Sequence, residues 1–140
     1  MSRGDLAAWL RLTSVHGLGG QTLRKLLKTF GSPERVLGAS HSTLARAIGG
    51  TLAMAIAKVP NEELIERTLD WSECPRQAII TLGDSSYPTP LLDIPDPPAV
   101  LFATGDVGLL ARPALAVVGS RSPSPQGVDN ARAFAKALGN

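Results

Sequence analysis

The chain changes its texture once, around Cys74-Pro75, and that change does most to limit what it can fold into. Before it, apolar residues return every three or four positions; after it come short β-rich runs separated by Pro, Gly and Asp. Neither a single helical bundle nor a single sheet accommodates both patterns. The expectation is an α plus α/β fold in two units: a small helical domain over residues 1–72, and an α/β unit over residues 73–140.

The helical part is punctuated by its own caps. Ser2 followed by Asp5 forms a capping-box pattern, with Leu6, Trp9, Leu10 and Thr13 on one face behind it. After the glycines at 17, 19 and 20, Leu23, Leu26, Leu27 and Phe30 make a second apolar stripe, which Gly31 ends. Ser32-Pro33 opens a short third helix through Val36 and Leu37, closed by Gly38. Two more helices are expected around Leu44–Ile48 and around Leu52, Ala55, Ile56 and Val59, with Gly49-Gly50 as the turn between them. The glycine turns at 17–20 and 49–50 have similar layouts, as in an internal repeat. Asn61 caps a sixth helix to about Trp71, with Glu62 and Glu63 at its positive end.

In the second part, residues 78–82, 99–103 and 114–118 read as strands. Between the first two lies Tyr87-Pro-Thr-Pro-Leu-Leu-Asp-Ile-Pro-Asp-Pro-Pro98, whose five prolines forbid a ladder and predict an ordered, extended connection. The third run, a Gly-Ser-Arg turn and an apolar face at Ala131, Phe134, Ala135 and Leu138 together read as strand, turn and helix, the opening of a βαβ unit. A parallel sheet needs further strands and both faces covered, so this unit reads as incomplete, its apolar surface exposed or paired with another copy.

Charge follows the same division. Residues 1–60 carry eight Lys/Arg against two carboxylates, a net +6; residues 61–140 carry six against ten, a net −4. The basic half is suited to phosphates or to an acidic protein surface, or else simply presents solvated helix faces. The lone cysteine, Cys74, excludes an intrachain disulfide and a cysteine-rich metal site, which fits a cytoplasmic protein. The charged start is unlike a signal peptide and no apolar run reaches membrane length.

Two constellations bear on function. In Val15-His-Gly-Leu-Gly-Gly-Gln-Thr-Leu-Arg-Lys25, Gly17 and Gly19 allow a tight turn, and the next helix aims free N–H groups outward, a helix-hairpin-helix pattern. Arg24 and Lys25 would add charge to a phosphate or partner contact there; the alternative is a compact turn serving packing. In Val118-Gly119-Ser120-Arg121, a strand ends where open α/β sheets bind ligands. Gly119 permits close approach, Ser120 offers a hydroxyl and Arg121 a planar fork for phosphate, or else Arg121 is a structural ion-pair residue. The sequence lacks Gly-x-Gly-x-x-Gly, so no dinucleotide cofactor is expected. His16 and His41 lack ligand-spaced neighbours, and no nucleophile elbow surrounds Ser120, Ser122 or Ser124; neither a metal site nor a catalytic set is expected.

The order of these motifs is more specific than any one of them. Val15-His-Gly-Leu-Gly19, Phe30-Gly-Ser-Pro-Glu34, Tyr87-Pro88, Ile94-Pro-Asp-Pro-Pro-Ala-Val-Leu-Phe102, Gly105 and Ala116-Val-Val-Gly-Ser-Arg121 with Gly127 closely resemble the DprA/Smf family. The resemblance implies an amino-terminal helical domain of sterile-alpha-motif (SAM-like) fold and the beginning of a Rossmann-like domain. It also implies a non-enzymatic mediator of natural transformation that binds and protects single-stranded DNA and helps load the RecA recombinase, as a homodimer in its full length. Gly119, Ser120 and Arg121 match the family's glycine-serine-arginine turn in its basic DNA pocket. The family's later basic residues and much of its dimer surface would lie beyond Asn140.

Two other readings remain. A Rossmann-like nucleotide-processing enzyme would place a catalytic acid or base further along its gene. A protein-interaction module would have a basic half that never touches DNA, which salt-dependent oligonucleotide binding by residues 1–72 would discriminate.

Overall fold

The computed structural model describes residues 1–58 and 61–139. Six helices come first: α1 (Arg3–Thr13), α2 (Gly20–Phe30), α3 (Pro33–Leu37), α4 (His41–Ile48), α5 (Gly50–Ala57) and α6 (Glu62–Ser72). Then come β1 (Gln77–Thr81), β2 (Val100–Thr104) and α7 (Pro125–Leu138). Val59, expected on the α5 face, lies outside the described residues.

The caps act as their chemistry requires. Ser2 Oγ accepts from the Asp5 N–H while the Asp5 carboxyl accepts from the Ser2 N–H, and that backbone bond, with the Ser2 hydroxyl beside it, holds the carboxyl below its ordinary range. Ser32, Ser40 and Asn61 cap α3, α4 and α6 in the same way. Between α4 and α5 a single residue, Gly49, makes the turn with φ 87° and ψ 154°; Gly50 is already helical.

Helix α1 is central, with one side in each of two apolar clusters. Trp9, Leu12 and Val15 pack with Leu23, Leu26, Val36, Leu44, Ala53 and Ile56. Ala7 and Leu10, on its other side, pack with Ile65 and Leu69 of α6 and with Ile79 of β1. The change of texture at residue 74 is therefore crossed by a shared core, to which Leu82, Ala99 and Val100 also belong at its margin.

Ion pairs fasten α1 to α6 and to Glu73 just beyond its end. The Arg3 guanidinium meets Glu66, Asp70 and Glu73, and Arg11 forks onto both Glu62 oxygens at 3.0 and 2.8 Å. The hydrogen bond from Arg11 lowers the Glu62 carboxyl from its ordinary value of 4.5. A depressed carboxylate contributes stability above its unfolded value and loses it as pH falls through the folded one. The stability advantage of the native chain over Glu62→Gln should therefore be full at neutral pH and shrink below about pH 4.5, where thermal melts of the two converge. Curves that stay parallel to pH 3 would show the pair to be energetically idle.

Strands β1 and β2 pair antiparallel, in register from Gln77 with Thr104 to Thr81 with Val100. Among the described residues this is the whole sheet, and residues 114–118, expected as a strand, carry no ladder. A strand needs a neighbour offering N–H and C=O groups, and β1 and β2 use one another. The proline-rich connection is ordered but not extended throughout, since Thr89–Asp93 form a 3-10 turn, compatible with the fixed φ of Pro90. It is anchored by the Tyr87 hydroxyl, which donates to the Pro98 carbonyl at 2.8 Å.

Candidate nucleic-acid interface

The turn expected to meet phosphate lies in an open segment. Residues 112–127 are exposed, and α7 buries no side chain, leaving Leu115, Val117, Val118, Phe134 and Leu138 in solvent. Ser124 caps α7 by accepting from the Gly127 N–H at 3.2 Å, with Pro125 at the first helical position. This is the same Ser-Pro start as in α3, and it sets the helix three residues earlier than the apolar stripe alone indicates.

Within the turn, the Ser120 Oγ accepts from the Ser122 N–H at 3.1 Å, so its own proton remains available to donate outward. A Cβ built on Gly119 meets nothing within 4 Å, which leaves that side of the backbone open to a ligand. Arg121 forms no ion pair among the described residues and is exposed. A shallow cavity of about 510 Å³ joins Val117–Ser120 to Pro123, Ser124 and the first turns of α7, including Gly127 and Arg132. Arg121 does not line it; Arg132 does, although Asp129 stands 3.7 Å from that guanidinium. Arg132 was not singled out in the sequence, and the available signal was its place one helical turn beyond Val128 on the helix that follows the glycine turn.

At the other constellation, Gly17 has φ +83°, a conformation a side chain strains, and Gly19 is the unadorned N-cap of α2. Arg24 faces inward to the chain: it donates to Asp96 at 2.9 Å and to the carbonyls of Pro97 and Pro95 at 3.3 and 3.2 Å. Its fork is thus occupied by the proline-rich connection. A Cβ on Gly20 would come within 2.3 Å of Asp96 Oδ1, so a side chain there would have to move that carboxylate. Neighbouring Lys25 is exposed, and its Nζ reaches the Ala47 carbonyl at 3.1 Å, at the negative end of α4. The structure separates Arg24 from Lys25 in role, and no hydrogen bond or ion pair joins either to residues 119–121 among the described residues.

No cluster of three or more His, Cys, Asp or Glu suited to a metal occurs among the described residues. No helix among them is long and apolar enough to cross a membrane.

Residues 78–140, which include β2, all of β1 but Gln77, and the Gly-Ser-Arg turn, match the family model described as DNA recombination-mediator protein A. The chain is also 31% identical over 136 residues to Protein Smf of Escherichia coli (strain K12), a match covering 96% of this chain and 35% of that protein. The chain belongs to the DprA/Smf family. It spans about a third of the length of that relative.

Proposed function

We propose that this chain is part of a single-stranded DNA-binding recombination mediator, with Gly119, Ser120 and Arg121 as a phosphate-contacting turn. One observation carries the reading: the stretch matched to DNA recombination-mediator protein A contains an exposed Gly-Ser-Arg turn whose arginine has no carboxylate partner among the described residues. The open backbone at Gly119 and the free Ser120 proton give an anion two further points of contact. In this reading residues 1–72 are a SAM-like, helix-hairpin-helix domain and residues 73–140 the opening of a Rossmann-like domain. The chemistry is binding rather than catalysis, in the cytoplasm, in support of RecA during natural transformation. Homodimerisation belongs to the full-length protein, and the exposed apolar face of α7 is a surface a further strand or a second copy would cover.

Arg121→Ala, in the protein read through its whole reading frame, should weaken binding to an oligonucleotide of any sequence and lower the salt slope by roughly 0.7 per lost contact. Arg121→Lys should bind at an intermediate level, restoring charge without the fork. Melting temperature should hardly move, because the side chain is exposed. Wild-type affinity in Arg121→Ala, or a loss explained by unfolding, would make the residue structural.

A further inference from the structure

Between Asp5 and Glu62 the chain carries one carboxylate, Glu34, and seven Lys/Arg: Arg11, Arg24, Lys25, Lys28, Arg35, Arg46 and Lys58. The fold sorts these cations. Arg11 and Arg24, turned toward the rest of the chain, are neutralised by Glu62 and Asp96 from the acidic half. Lys25, Lys28, Arg35 and Arg46 are exposed, and none has a carboxylate within ion-pair distance among the described residues.

They also fall together. Lys25 and Lys28 are one turn apart on the outer side of α2, roughly 4.5 Å along its axis. A further turn on, at Gly31, the Arg35 guanidinium lies over the end of the helix, 3.6 Å from where a Cβ on Gly31 would stand. The Lys25–Ala47 bond brings the last turn of α4, with Arg46, beside the start of this row. Like charges set this close repel one another, and a chain that supplies partners for Arg11 and Arg24 supplies none here.

We propose that Lys25, Lys28, Arg35 and Arg46 form a second nucleic-acid contact, a row of cations on the outer face of α2 and the end of α4 that follows a phosphate backbone, distinct from the turn at Arg121. It rests on the recombination-mediator reading and extends it to the helical part. Spacing favours this partner: cations at successive helical turns suit a regularly repeating charge. Contacts of this kind are independent of sequence and strongly salt-dependent. Arg24 is excluded from the row by its hold on residues 95–97.

The test is binding of a fluorescent oligothymidylate from 50 to 400 mM salt by four proteins with the full reading frame: wild type, Arg121→Ala, Lys25→Gln/Lys28→Gln/Arg46→Gln, and the charge-keeping double variant Lys25→Arg/Lys28→Arg. If three contacts are lost, the Gln protein should bind on the order of a hundredfold more weakly near 0.1 M salt, with a slope smaller by about 2. The Arg protein should bind like wild type, and an unchanged thermal melt of the Gln protein, expected because its three side chains are exposed, rules out lost folding as the cause. A triple-Gln protein that binds with wild-type affinity and slope while Arg121→Ala is impaired would overturn this inference and leave the function standing. Wild-type protein without oligonucleotide binding would overturn both. Retained oligonucleotide binding with loss of binding to poly-glutamate would make the face a protein-docking surface and overturn the proposal.

Discussion

Leu12→Ala should lower the stability of the helical core by about 2–5 kcal/mol, measured by urea denaturation followed through the helical circular dichroism signal. Leu12 is fully buried on α1 and packs in the cluster formed with α2–α5, so truncation removes apolar contact and leaves a cavity that several rigid helices must close. Domains of this size are commonly stable by only about 5–15 kcal/mol, so the loss would be a large share of the total. Replacement of exposed Leu64 by Ala is the control: 55% of that side chain already meets water, and its loss should be several times smaller. Equal losses at both positions would mean that α1 does not occupy the centre described.

Gly49→Ala and Gly50→Ala should act in opposite directions although the residues are adjacent. Gly49 sits at φ 87°, ψ 154°, a conformation essentially reserved for glycine, so a methyl group should cost on the order of 1–3 kcal/mol or force α4 and α5 apart. Gly50 is the first residue of α5, with open space where its Cβ would go. Alanine there should be neutral or stabilising by up to about 1 kcal/mol, because it restricts the unfolded chain. Thermal melts of the two variants beside wild type decide it; loss of stability at residue 50 comparable to that at 49 would refute the turn geometry.

Local chemistry was legible in the sequence, and distant pairing was not. Ser2, Ser32-Pro33 and Asn61 announced three helix starts because a cap acts within four residues of itself. The same Ser-Pro signal stands at Ser124-Pro125, but the apolar face at Ala131, Phe134, Ala135 and Leu138 does not reach back to it, because the first helical turn holds Gly127 and no large apolar residue before Val128. The strands at 77–81 and 100–104 were visible to within a residue as β-rich runs, but a similar run at 114–118 has no ladder, because pairing depends on what lies alongside. At the candidate sites the sequence grouped Arg24 and Lys25 as a phosphate or partner contact, with a turn serving packing as the alternative. Periodicity carries no trace of Asp96, seventy-two residues away, which takes Arg24 into the fold. The open turn at residues 119–121 was legible as a motif, whereas the approach of Arg132 to it required the helix to be built.

The anchoring of residues 95–98 bears on how the molecule assembles itself. The hairpin of β1 and β2 spans residues 82–99, far beyond the two to five residues that let a hairpin close as an independent event. Closing so long a loop costs entropy that the two short strands alone repay poorly. Part of that entropy is already absent in the unfolded chain, because each proline fixes its own φ and restricts the residue before it. The remainder is met where Arg24 grips residues 95–97 and Tyr87 reaches Pro98. Strand register is thereby tied to a helix from the opposite end of the sequence, and the long connection of the hairpin is held against α2.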